Sequence, residues 1–105
     1  MISLSTHVLD TGAGRPLAGV AVNLERELDG GWQHVGEGIT DHDGRIAAVG
    51  VALGPGVYRL VFATGDAGNP FFPEVHVLVD LDDSQGHYHV PLLLSPYGYT
   101  TYRGN

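Results

Sequence analysis

Apolar and polar residues alternate along most of this chain in short runs, separated by glycine, proline and aspartate. A period of two places successive side chains on opposite faces of a strand, so the pattern predicts β-structure. Leu4, Thr6 and Val8 alternate with Ser5, His7 and Leu9, and Val20, Val22 and Leu24 with Ala21, Asn23 and Glu25. Gly12 to Pro16 breaks between these two strands. Asp29-Gly30-Gly31 is a hairpin turn, because glycine accepts the positive φ such turns demand. A third strand is predicted from about Trp32 to Thr40, and a short one from Arg45 to Val49 after the Asp41-His42-Asp43-Gly44 turn. Gly54-Pro55-Gly56 leads into Val57 to Ala63. Val75, Val77, Val79 and Leu81 alternate with Glu74, His76, Leu78 and Asp80; His87 to Leu94 and Gly98 to Tyr102 complete the set. The stretch Thr64 to Pro73 lacks alternation and is the expected place for one helical turn. About eight short strands at regular spacing predict an all-β sandwich or barrel, with residues 1–105 forming one domain.

Charge narrows the partners. The net charge is −7, from twelve acids against five arginines with no lysine. No basic stripe is available for nucleic acid, and an acidic surface opposes binding to anionic membranes. No segment approaches the roughly 20 apolar residues of a membrane-spanning helix. The absence of cysteine excludes disulfides, thiolate zinc sites and thiol nucleophiles. Met1 to His7 lacks the basic-then-apolar pattern of an export signal, and Arg103-Gly104-Asn105 is not a peroxisomal address, so a cytoplasmic location is expected.

Few residues offer chemistry. His87 and His89 stand two apart on a predicted strand, so both imidazoles project from one face. Such a pair can bind a metal, can exchange protons near neutral pH, or can simply make a polar strand face. His7 shares a face with Ser5 and Leu9 and is either structural or catalytic. Arg45 follows a turn and can clamp a planar anion or polarise a carbonyl; equally, it can pair with Asp41 or Asp43 on the surface. Asp41-x-Asp43-Gly44 has the start of a calcium loop without its later ligands, so a plain turn is the reading there. No phosphate loop and no Gly-x-Ser-x-Gly elbow is present.

The segment from His87 to Asn105, HYHVPLLLSPYGYTTYRGN, closely resembles the C-terminal signature of 5-hydroxyisourate hydrolases, the enzymatic relatives of transthyretin. Leu4 to Asp10 with Gly14 to Val20 resembles the opening of that family. Thr40-Asp41-x-Asp43-Gly44-Arg45 and Phe71-Phe72-Pro73-Glu74-Val75 match its interior landmarks. The resemblance implies a transthyretin-like (prealbumin-like) two-sheet antiparallel β-sandwich with one short helix. It also implies a homotetramer with active sites in a channel between dimers. Carried over by position, the family's catalytic histidines fall on His7 and His89 and its arginine on Arg45. Its C-terminal tetrapeptide falls on Tyr102, Arg103, Gly104 and Asn105. His87 lies outside this set. The family usually ends in serine, and Asn105 departs from that.

The implied reaction is opening of the six-membered ring of 5-hydroxyisourate, a small molecule, at an amide-like carbonyl. It needs an activated water, a donor for the oxyanion and a proton for the departing nitrogen. The expectation is that His7 and His89 divide the base and acid roles, with Arg45 polarising the carbonyl and the tail closing the site. No cofactor or metal is expected. A related cyclic-amide hydrolase, a transthyretin-like ligand binder and a zinc-binding structural protein are the other readings.

Overall fold

The computed structural model describes all residues, Met1–Asn105, as ten strands in two sheets. They are β1 (Ile2–Asp10), β2 (Arg15–Pro16), β3 (Ala21–Leu28), β4 (Gly31–Ile39), β5 (Arg45–Leu53), β6 (Gly56–Phe62), β7 (Val75–Leu81), β8 (His87–His89), β9 (Leu92–Ser95) and β10 (Gly98–Thr101). One sheet is four-stranded and wholly antiparallel, in the order β4-β3-β6-β7. The other is built around β1, which pairs antiparallel with β5 and β2 on one side and parallel with β8 and β9 on the other; β10 lies beyond β9.

The alternation explains which face each strand buries. On β1, Ile2, Leu4, Thr6 and Val8 are buried, and they meet Val22, Leu24, Leu60, Phe62, Val75 and Val77 of the facing sheet in one apolar core. Burial of such side chains contributes about 1.5–3 kcal/mol each relative to exposure. Buried hydroxyls are satisfied, the Tyr58 hydroxyl donating to the Gly54 carbonyl at 2.6 Å and the Thr6 hydroxyl to the Val90 carbonyl at 2.6 Å, whereas Arg26 Nε is buried without a partner.

The predicted strand His87 to Leu94 is divided in two by a proline. Ser3 faces His87, Ser5 faces His89, Val8 faces Leu92 and Asp10 faces Leu94, so the register along β1 never shifts. Proline has no N–H to donate, and Pro91 divides β8 from β9 without disturbing their common course.

The expected helical turn is not formed. Thr64 to Gly68 is a chain reversal in which Ala67 N–H and Asn69 N–H both donate to the Thr64 carbonyl. Gly68 at φ +100° leaves helical space, and Pro70 stands two residues on, so no second turn can propagate. The architecture is therefore all-β throughout. No helix is long and apolar enough to cross a membrane.

Candidate active site

The core-facing alternation of β1 leaves Ser3, Ser5, His7 and Leu9 on the opposite, outward face of the six-stranded sheet. Tyr88 turns into the core, where its hydroxyl donates to the Asp82 carbonyl at 3.0 Å, so His87 and His89 share that outward face. Pairing then brings the chemistry together. His7 is opposite Arg45 across β1 and β5, and Ser5 is opposite His89 across β1 and β8. Ser5, Thr6, Asp41, Arg45, Ile46, Ala47, His87, His89 and Asn105 line an open cleft of about 360 Å³ on this face.

The turn before β5 fixes one side of the cleft. Asp41 Oδ1 accepts the N–H groups of Asp43 at 2.8 Å and Arg45 at 3.0 Å. These bonds, that to Arg45 foremost, hold the Asp41 carboxyl below its usual value. Asp41, His42 and Asp43 come within metal-ligand reach of one another, but all three are exposed and this carboxylate already closes the turn. Gly44 takes φ +74°, and a Cβ there would lie 2.4 Å from the Val8 carbonyl oxygen. The result is that the Asp43 carbonyl meets His7 Nε2 at 2.8 Å. A carbonyl can only accept, so Nε2 of His7 carries the proton and Nδ1 is its remaining nitrogen.

The other side is fixed by β8 and the C-terminal segment. His89 Nδ1 lies 2.7 Å from the Ser5 hydroxyl, leaving Nε2 for exchange with a ligand. The His89 main chain pairs with Gly104, whose N–H donates to the His89 carbonyl at 2.7 Å. A Cβ on Gly104 would come within 2.7 Å of His89 Cδ2, so only glycine lets the tail pass this ring. Desolvation holds the His89 imidazole below its ordinary value of 6.5, and electrostatic interaction with His7, Arg45 and His87 lowers it further. His89 is accordingly neutral near pH 7 and able to accept a proton.

The sequence-derived set is thus only partly gathered. Arg45, His89 and Asn105 line the cleft, His7 stands beside it opposite Arg45 on the neighbouring strand, and Gly104 braces His89. Tyr102 and Arg103 instead line a separate groove of about 350 Å³ with Val77 to Asp82, Ser84, Tyr88, Val90 and Thr101. There Arg103 contributes to holding the Asp82 carboxyl below its usual value, after the hydrogen bonds from Ser84 and Tyr88. Ser5 and His87 line the cleft although neither belongs to the carried-over set; the two-residue spacing of the histidines was the signal for His87. Nothing in the local pattern singled out Ser5.

Residues 4–104 match the family model described as HIUase/Transthyretin family. A 5-hydroxyisourate hydrolase of Salmonella dublin is 48% identical over 97% of this chain and 80% of its own length. That of Caulobacter vibrioides is 43% identical over the whole of both chains. Among solved structures, the 5-hydroxyisourate hydrolase of Klebsiella pneumoniae superposes with a TM-score of 0.88 at 34% identity, covering both chains completely. Sea bream transthyretin in complex with thyroxine gives 0.89 at 32% identity, over 97% of this chain and 94% of that one. Matched over nearly all of its length, this chain belongs to the HIUase/Transthyretin family.

Proposed function

We propose that this chain is a cytoplasmic, homotetrameric hydrolase that opens 5-hydroxyisourate to 2-oxo-4-hydroxy-4-carboxy-5-ureidoimidazoline. The observation that carries the reading is the meeting of His7, Arg45 and His89, from three different strands, on one open face. The named hydrolases at 43–48% identity support the substrate. The thyroxine complex of sea bream transthyretin concerns the same fold as a binder, but a binder has no use for an imidazole of lowered proton affinity and a guanidinium lining one cleft with a second imidazole, His7, paired beside the guanidinium.

In this reading the neutral His89 takes a proton from water through Nε2, and the water oxygen bonds to the ring carbonyl carbon. Arg45 donates to the developing oxyanion. The C–N bond then breaks as Nδ1 of His7, whose Nε2–H stays on the Asp43 carbonyl, takes the remaining hydroxyl hydrogen of the tetrahedral carbon and hands it to the departing nitrogen. One water hydrogen thus ends on nitrogen through His7, and the other leaves through His89 as the single proton that carboxylate formation releases. Positioned acid–base groups of this kind are each worth about 10²- to 10⁴-fold. Asn105 lines the cleft and can orient water or a ring carbonyl through its amide. Tyr102, Arg103 and Gly104 serve the site by anchoring the tail that carries Asn105. No step requires a metal, and activity is expected to survive chelator treatment.

Assembly follows from what one chain leaves uncovered. β7 and β10 are edge strands of the two sheets, with Leu78 61% and Tyr99 43% exposed. Unpaired edges bearing apolar side chains favour pairing with a second copy. The outward face holding the cleft is bare and suits packing of two dimers against each other. The direct test generates 5-hydroxyisourate from urate with urate oxidase and follows its decay with and without this protein. Faster decay with protein supports the reading; equal decay overturns it.

A further inference from the structure

Four side chains on the outward face form one continuous hydrogen-bonded file. Ser3 Oγ lies 2.6 Å from His87 Nδ1, His87 Nε2 lies 2.8 Å from Ser5 Oγ, and Ser5 Oγ lies 2.7 Å from His89 Nδ1. The parallel register of β1 and β8 makes this file, since it sets each serine directly beside a histidine. Ser5 is nearly enclosed at 9% exposure, whereas His87 is exposed to solvent. The file therefore runs along one wall of the cleft, from the half-buried His89 through the enclosed Ser5 to the exposed His87.

We propose that Ser5 and His87 are a proton relay serving His89, carrying outward the proton that His89 draws from water during hydrolysis. This inference rests on the hydrolase reading above. It gives a role to the histidine that the family pattern leaves without one.

The step balances without any added reagent. At the start, His89 Nδ1–H donates to Ser5, the Ser5 hydroxyl donates to His87 Nε2, and His87 Nδ1–H donates to Ser3. When His89 Nε2 gains a proton, the Nδ1 proton moves to Ser5, and the Ser5 proton moves to His87 Nε2. His87, now doubly protonated, loses its Nδ1 proton to water or through Ser3. His89 is left neutral with its proton on Nε2. After product leaves, cleft water removes that proton while one re-enters at His87, which restores the starting polarity. One proton leaves per turnover, the number that forming a carboxylate releases. The Arg45 guanidinium lining the cleft gives the extra proton on His89 a reason to leave; Asp41 is the carboxylate lining the same cleft, and His7 and His87 are the other titratable neighbours. Ser5 and His87 act through His89 and are positioning residues in this scheme.

The test compares His87→Gln, His87→Ala and Ser5→Ala with the unaltered protein on freshly generated 5-hydroxyisourate. Acceleration by the unaltered protein comes first, because its absence defeats the hydrolase reading rather than the relay. Glutamine keeps an amide to bond Ser5 but cannot take up and release a proton. The relay predicts that His87→Gln unfolds at the normal temperature yet loses about 10- to 100-fold in kcat, with KM within twofold. Ser5→Ala loses a similar factor. His87→Ala regains kcat as imidazole is added to the buffer, and the unaltered protein does not respond. A His87→Gln variant with full kcat overturns the relay. So does a folded His87→Ala variant whose loss imidazole leaves untouched.

Discussion

His89 is the side chain on which the chemistry turns, and its environment makes a signed pH prediction. Burial first, and then electrostatic interaction with His7, Arg45 and His87, lowers its affinity for protons. kcat/KM is expected to fall on the acid side only below the ordinary imidazole value of 6.5, and a pH–rate profile breaking above that value would contradict the assignment. The same shift links to stability. The unfolded chain binds a proton at this site before the folded one does, so stability is lost as pH falls through 6.5 and below. His89→Ala should lower kcat/KM by about 10²-fold or more without a comparable loss of stability. Asn105→Ser exchanges one donor–acceptor group for another in a cleft whose proton transfers belong to the histidines. Its turnover is expected to stay within about tenfold of the parent, well under the loss of an acid–base group. Which residues touch was only partly legible beforehand: spacing put His87 and His89 on one face, but the Ser5 bridge depends on a parallel register between segments 84 residues apart.

At the scale of strands, glycines set how closely the sheets and turns approach. A Cβ on Gly36 of β4 would sit 2.1 Å from the Val49 carbonyl oxygen of β5, and a backbone oxygen in a packed sheet cannot step aside. Gly36→Ala should therefore destabilise by about 1–3 kcal/mol. That corresponds to about 4–8 °C of melting temperature per kcal/mol, readable by calorimetry. Gly44→Ala strains the turn that holds Asp43 against His7, so it should reduce activity more than its effect on melting would suggest. The strands themselves were largely readable, because alternation reports burial directly: Leu4, Thr6 and Val8 do face the core, and Ser5 and His7 do not. Boundaries were less so. Arg45 to Val49 continues to Leu53 through a bulged register against β1, which alternation cannot foresee. The helical turn expected between Thr64 and Pro73 gives way to a tight reversal, since Gly65, Gly68 and Pro70 leave too few residues for a helix to propagate.

The whole molecule leaves its most functional face bare. A chain of 105 residues buries only about two-thirds of its unfolded surface, and burying β7, β10 and the cleft-bearing sheet against copies would add to that. Light scattering on the purified protein should give four times the mass of the 11.1 kDa chain, and a monodisperse monomer would contradict the proposed assembly. The central claim is that three side chains from three strands make one hydrolytic site, and kinetics test it most directly. 5-Hydroxyisourate made in place by urate oxidase is followed by its absorbance, alone, with this protein, and with its His7→Ala, Arg45→Ala and His89→Ala variants. The account predicts rapid decay with the parent and decay close to the spontaneous rate with each variant. Parent decay no faster than the spontaneous rate, or full activity in any of the three variants, would contradict it.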